Sequence, residues 1–233
     1  MSEPQPIPYR DGDTAFTGLL ARPVGRPRAA VVLFPTIMNQ VENALRRLPM
    51  LTQAGYLAFC ADLYGRNPRD REGAQALASI RGDTPTYRAR VKAAVDTLAA
   101  QPEAQGLSLA AIGYCMGGQM ALEAARMNLP LALVASFHGI LTTGAPASEP
   151  IRPRILVCHG DADPLVPREQ VAAFQQEMDA VGANWHLHVY ANVRHGFTDP
   201  LADIHGFDAL GYNASADRQS WAALMGLLDE VVG

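Results

Sequence analysis

The chain is short of cysteine, of long apolar runs and of positive charge, and each shortage removes a class of protein. Cys60, Cys115 and Cys158 are the only cysteines among 233 residues. An odd, scattered set with no C-x-x-C pair is no disulfide framework. Free thiols in a reducing cytoplasm are the expectation. No run of about twenty apolar residues occurs, so no segment is expected to span a bilayer. Residues 1–6, Met1-Ser2-Glu3-Pro4-Gln5-Pro6, have no basic start and no apolar core, and no secretory signal is read there. Lys and Arg number 19 against 23 Asp and Glu, a formal net charge of −4. That balance disfavours nucleic acid and anionic membranes as partners, because both select basic patches.

What is present is an ordinary globular mixture, 48% hydrophobic and 18% charged. The length suits one domain over residues 1–233, large enough to bury roughly three quarters of its unfolded surface. Short apolar runs alternate with helix-period segments, the mark of an α/β fold on a mostly parallel sheet. Strands are expected at 15–21, 29–34, 56–60, 107–113, 131–137, 154–159 and 185–190. Helices are expected at 42–54, 87–100, 117–128, 171–181 and 216–231. Residues 66–85 are charged and helix-prone in pieces, with no clear register. There are no repeats and no low-complexity linker.

Between an expected strand and an expected helix lies Gly113-Tyr114-Cys115-Met116-Gly117-Gly118. This is the nucleophile-elbow pattern with cysteine in the nucleophile's place. A sharp strand-to-helix turn strains the nucleophile's backbone and crowds the positions two before and two after it, which is why both are glycine. The turn aims the thiol at a helix N-terminus, whose dipole and free N–H groups favour a thiolate and a developing oxyanion. Cys60 and Cys158 lie inside apolar strand runs and read as inert buried thiols.

A thiol nucleophile needs a base, and in this arrangement the partners follow it in the order acid, then histidine. Asp161 and Asp163 both lie in a loop leaving a strand's C-terminal end, where α/β sites gather. Asp163 is the preferred acid, with Asp161 read as a turn former. His195, in the Gly-flanked loop after the last strand, is the expected base. His186 and His188 share one face of a strand without a third ligand nearby, so no metal is expected. His159 is expected to brace the acid loop. His138 fits a pocket wall or a structural role equally, and His205 is assigned nothing.

With these residues in view, the chain resembles the dienelactone hydrolase family over nearly its whole length. The marks are residues 113–118, Asp163 with Val166-Pro167, Arg194-His195-Gly196-Phe197, and Asp62-Leu63-Tyr64 after a strand. The resemblance implies an α/β-hydrolase fold: a mostly parallel, doubly wound sheet with helices on both faces and no large lid domain. It implies a Cys115–His195–Asp163 triad and an oxyanion hole from the backbone N–H groups of Ile37 and Met116. Thr36, Tyr64, Tyr114 and His138 complete the expected substrate wall.

Two positions depart from the family pattern. Thr36 stands where dienelactone hydrolases carry a glutamate that contacts the thiol, and threonine takes up no proton at neutral pH. Asp199 stands where they carry an arginine that holds the substrate carboxylate, and it would repel that group. Dienelactone itself is therefore disfavoured, with Arg66, Arg81 and Arg194 as candidate replacements for the lost cation.

The expected activity is hydrolysis of a small soluble ester or lactone through an acyl-cysteine, without metal or organic cofactor, by a monomer or homodimer. Only a short link, 139–152, stands where many hydrolases of this fold insert a lid, so an open site is expected. The alternatives are a thioesterase or acyltransferase with the same triad, and a non-hydrolytic thiol sensor or binding protein on the same scaffold.

Overall fold

The computed structural model describes residues 3–232. Eight strands form one sheet: β1 (Gln5–Asp11), β2 (Thr14–Ala21), β3 (Ala30–Phe34), β4 (Leu57–Cys60), β5 (Leu109–Tyr114), β6 (Leu133–Phe137), β7 (Arg154–Gly160) and β8 (Trp185–Tyr190). Their order is β1-β2-β4-β3-β5-β6-β7-β8. β1 and β2 join by antiparallel pairing, and β3 to β8 run parallel. Seven α-helices accompany them among the described residues: α1 (Glu42–Leu45), α2 (Arg47–Gln53), α3 (Arg71–Ala78), α4 (Thr84–Ala99), α5 (Met116–Arg126), α6 (Arg168–Ala180) and α7 (Ala214–Val232).

The central strands β3 to β6 are buried at almost every position, and apolar there apart from Ser136, because both faces of the sheet are covered. Along β3, side chains alternate between two cores. Ala30, Val32 and Phe34 pack with Val91 and Val95 of α4, Met120 of α5 and Phe174 of α6. Val31 and Leu33 pack with Leu48 and Leu51 of α2 and with Leu224 and Leu228 of α7. This is the doubly wound sheet that the sequence pattern predicts.

Three departures from the expected elements have local causes. The strand β1 has Pro6 and Pro8, which hide a strand pattern and suit the sheet edge that β1 forms. The expected helix at 42–54 breaks at Arg46 into α1 and α2. Pro49 lacks the N–H a continuous helix would use there, but is tolerated in the first turn of α2. The unclear segment 66–85 resolves into α3 and a 3-10 turn, Ser79–Gly82. Asp70 caps α3 by accepting the Gly73 N–H at 2.8 Å, and Asp83 caps α4 by accepting that of Thr86 at 3.2 Å.

A buried ion network holds the 139–152 link against the helices. Glu123 of α5 accepts from Arg88 of α4 at 2.7 Å and Arg126 at 3.0 Å, and Arg126 pairs with Glu177 of α6 at 2.7 Å. The same side chains bond the link's backbone. Arg88 and Arg126 donate to the carbonyls of Ala145 and Leu141, and Glu177 accepts the Ala147 N–H. No described helix is long and apolar enough to cross a membrane.

Glu123→Ala removes a buried anion between two guanidinium groups and is expected to cost about 3 kcal/mol. Urea denaturation followed by circular dichroism measures that loss.

Candidate active site

Cys115 occupies the turn between β5 and α5 with φ 55° and ψ −119°, a conformation that a side-chain-bearing residue holds only under constraint. The constraint is visible at its neighbours. A Cβ on Gly113 would lie 1.9 Å from the Gly117 carbonyl oxygen. One on Gly117 would lie 2.1 Å from the Phe34 oxygen and 2.4 Å from that of Pro35. Backbone touches backbone at both points, which is the physical content of the glycine spacing.

Asp163, leaving β7, and His195, leaving β8, come together beneath this turn. The His195 Nδ1–H donates to Asp163 Oδ2 at 2.7 Å, while Asp163 Oδ1 accepts the Leu165 N–H at 2.9 Å. Both side chains are buried. The loop beyond His195 returns to pin it, with the His195 N–H donating to Ala209 O and the Gly211 N–H to His195 O. His195 Nε2 has no other hydrogen-bond partner among the described residues and faces the thiol.

Burial alone would raise the Cys115 pKa, but His195, the Met116 N–H and the Arg81 charge outweigh it and set the thiol below its usual value. Burial alone would lower His195, but the Cys115 thiolate and Asp163 raise it to about 10. The two shifts are mutual, since a thiolate on Cys115 and an imidazolium on His195 each favour the other. Burial pushes Cys60 upward and takes Cys158 to about 12, as inert thiols require.

His138 is a second histidine in the site. Its ring lies edge-on to His195, centroids 5.0 Å apart. Nδ1 accepts the Cys115 N–H at 3.2 Å, so Nε2 carries the proton and donates to Thr198 Oγ1 at 2.9 Å. Burial, reinforced by the His195 charge, holds His138 well below the usual imidazole range and keeps it neutral.

The turn after β3 carries Ile37. Its N–H donates to no group among the described residues. Thr36 O accepts the Asn39 N–H at 2.9 Å, and Asn39 takes a positive φ of 64°. Asp62 staples this turn, its carboxylate accepting from Asn39 Nδ2 and from the Thr17, Tyr64 and Gly65 N–H groups. The Asp62-Leu63-Tyr64 motif thereby positions Ile37.

A pocket of about 260 Å³ opens over Cys115. Thr36, Ile37, His138 and His195 line it, as the sequence suggests. Two expected wall residues lie elsewhere. Tyr114 is fully buried in the opposite core, stacked on Phe137 at 4.8 Å beneath the Arg47 guanidinium, because alternation along β5 turns it away from the site. Tyr64 sits behind the elbow, its hydroxyl 3.6 Å from the Met116 sulfur. Asp161 pairs with Arg168 at 2.6 Å on the surface rather than bonding its own loop. His159 is buried beside Asp163, but its Nε2 bonds no described residue, so it packs against the acid loop without bracing it through that atom.

Sequence reasoning missed the rest of the wall: Arg71 from α3, with Leu165, Ala202, Phe207 and Leu210. The Arg71 guanidinium lies flat on the Phe207 ring, 3.4 Å from its centroid. It is a cation at the pocket that the three candidate arginines do not supply. Arg194 is tied to Asp203 and Asp208 O, and Arg66 does not line the pocket. Asp199 lines the pocket, with one carboxylate oxygen accepting the Leu201 N–H. Only the clustered arginines of the 66–85 segment hint at this arrangement in the sequence. No group of three metal-ligating side chains occurs among the described residues.

Iodoacetamide at neutral pH is expected to label Cys115 alone, with a rate midpoint below the ~8.5 of a free thiol. Asp163→Asn should move that midpoint upward, because the imidazolium loses its carboxylate. Peptide mapping by mass spectrometry across a pH series reads both.

The sequence profile of the dienelactone hydrolase family matches residues 16–232. Among solved structures, m3DLH is 40% identical with a TM-score of 0.93, covering 98% of each chain. A dienelactone hydrolase-like promiscuous phosphotriesterase, P91 from metagenomic libraries, is 35% identical with a TM-score of 0.92, over 99% of this chain and 98% of its own. A probable 2-oxo-3-(5-oxofuran-2-ylidene)propanoate lactonase of Bradyrhizobium sp. is 25% identical over 218 residues, 87% of this chain and 84% of the relative. On its sequence and its α/β-hydrolase fold, the chain belongs to the dienelactone hydrolase family.

Proposed function

We propose that this hydrolase opens a small carboxylic ester or lactone through an acyl-cysteine formed on Cys115. The observation that carries the reading is the line Asp163 Oδ2, His195 Nδ1, His195 Nε2 and the thiol, ending at the elbow. His195 holds the proton taken from Cys115, and the thiolate attacks the carbonyl carbon. The Ile37 and Met116 N–H groups receive the oxyanion. His195 Nε2–H then protonates the leaving oxygen, and the C–O bond breaks to leave the acyl group on sulfur. Water, deprotonated by the same Nε2, attacks the thioester, releases the acid and regenerates the thiol.

The 260 Å³ pocket suits a small substrate. Arg71 offers a carboxylate partner where Asp199 replaces the family's arginine, which brings acidic lactones such as the one named for the Bradyrhizobium relative back within reach. The three free cysteines suit a reducing cytoplasm. The phosphotriesterase activity named for the metagenomic relative favours a second reading, in which the same thiolate attacks phosphorus.

Turnover of 4-nitrophenyl acetate and of a carboxylated enol-lactone tests the proposal. Cys115→Ala and His195→Ala are expected to lower kcat by about 10³-fold or more, and Asp163→Asn by about 10²-fold or more. Quenched wild-type samples should carry an acetyl group on the Cys115 peptide. Turnover that survives Cys115→Ala would overturn the proposal, and paraoxon in the same assay tests attack at phosphorus. Arg71→Met should raise KM for the carboxylated lactone about tenfold, the worth of one charge-assisted hydrogen bond, and spare the neutral ester.

A further inference from the structure

Arg71 and Phe207 line the pocket that opens over Cys115 and come to it on two separate pieces of chain, the first turn of α3 and the loop beyond His195. The usual means of holding an arginine are missing at Arg71. Carboxylates hold Arg46, Arg88, Arg126 and Arg168. The Arg71 guanidinium makes no ion pair and no hydrogen bond with a described residue. It also sits in the first turn of its helix, where the helix dipole disfavours a cation. What holds it is the Phe207 ring, whose centroid lies 3.4 Å from the guanidinium carbon. At that separation only a face-on stack fits, so the ring fixes the plane of the guanidinium and leaves the N–H groups along its edge unspent.

The ring has a fixed base. Phe207 O accepts the Leu210 N–H at 2.8 Å, and the same loop is bonded to the His195 backbone at Ala209 and Gly211. His195 and the ring that holds Arg71 therefore belong to one hydrogen-bonded loop, and the stack passes that registration to a cation on another element. A free arginine side chain has several rotatable bonds to order before its fork can grip a planar carboxylate, and each one ordered in advance favours binding. We propose that Phe207 is a positioning residue: its ring pre-orders Arg71, and the pair selects substrates carrying a carboxylate over neutral ones of the same shape. The proposal rests on the reading above, in which Arg71 receives the substrate carboxylate. It adds no bond-making step, since neither residue takes part in acyl transfer to Cys115.

A carboxylated enol-lactone and its primary carboxamide, alike in shape and different in charge, test it. The readout is the acid-to-amide ratio of kcat/KM, in which a general loss of pocket shape cancels. Wild type should favour the acid, and Arg71→Met should lower the ratio about tenfold. Phe207→Leu should lower it about fivefold, as a higher KM for the acid at nearly constant kcat, and Phe207→Tyr should hold it within about twofold of wild type. In the Arg71→Met background, Phe207→Leu should leave the ratio where it is. Should Phe207→Leu melt early, Phe207→Met replaces it in the same cycle. A wild-type ratio in Phe207→Leu, beside a lowered one in Arg71→Met, overturns the positioning role and leaves Arg71 as the carboxylate partner. Equal effects of Phe207→Leu with and without Arg71 overturn it too, because the ring then acts on substrate directly. A ratio that Arg71→Met leaves unchanged, with Cys115-dependent turnover of the amide intact, overturns both roles and leaves the acyl-cysteine reading standing.

Discussion

The fold converges on the absence of room for a Cβ at two positions. Gly117 lies against the carbonyl oxygens of Phe34 and Pro35, and Gly113 against Gly117 itself. These contacts press the start of α5 onto the ends of β3 and β5. They hold Cys115 at a backbone angle that would otherwise relax, and they set the distance between the Met116 N–H and the turn bearing Ile37. A methyl group at either glycine would separate the elements that the site is made from.

Around that elbow the electrostatics are divided between two histidines with opposite tasks. His195 is flanked by the Asp163 carboxylate and by Cys115, which as a thiolate also favours the charged imidazole. His138, equally buried, has only a backbone N–H and a threonine hydroxyl as hydrogen-bond partners and sits beside the His195 charge, so it stays neutral. The neutral ring braces the strained Cys115 backbone without competing for the proton. Had Nδ1 of His138 carried a proton, it would have faced the Cys115 N–H, and that bond would be lost.

The surrounding loops are ordered by side chains that do no chemistry. Asp62 gathers four donors and so shapes the turn that carries Ile37. The loop past His195 folds back through backbone bonds at Ala209 and Gly211, bringing Phe207 and Leu210 over the thiol. Farther along α5, the Glu123, Arg126 and Glu177 network holds the link after β6. The short link that stands in place of a lid is therefore held to the helices by buried charge.

The strands of the parallel sheet, most of the helices and the elbow were legible in the sequence, because each rests on local physics. Alternation, helical period and glycine crowding act over a few residues. The choice between Asp161 and Asp163 was half legible. Both leave β7, and only the fold shows Arg168 engaging one and His195 the other. Pro49 and the two prolines of β1 are local signals that could have been read more closely. Tyr114 was misplaced although alternation along β5, a local signal, sends it to the face opposite the site. Arg71 and Phe207, which line the pocket over Cys115, were not legible. They come from segments with no period, and they meet Cys115 across tens of residues of chain, where a contact leaves no spacing to detect. The sequence by itself determined the sheet and the presence of a thiol at a strained turn. Tertiary structure alone decided which cations and which apolar groups surround that thiol, because those contacts exist only once distant loops have packed.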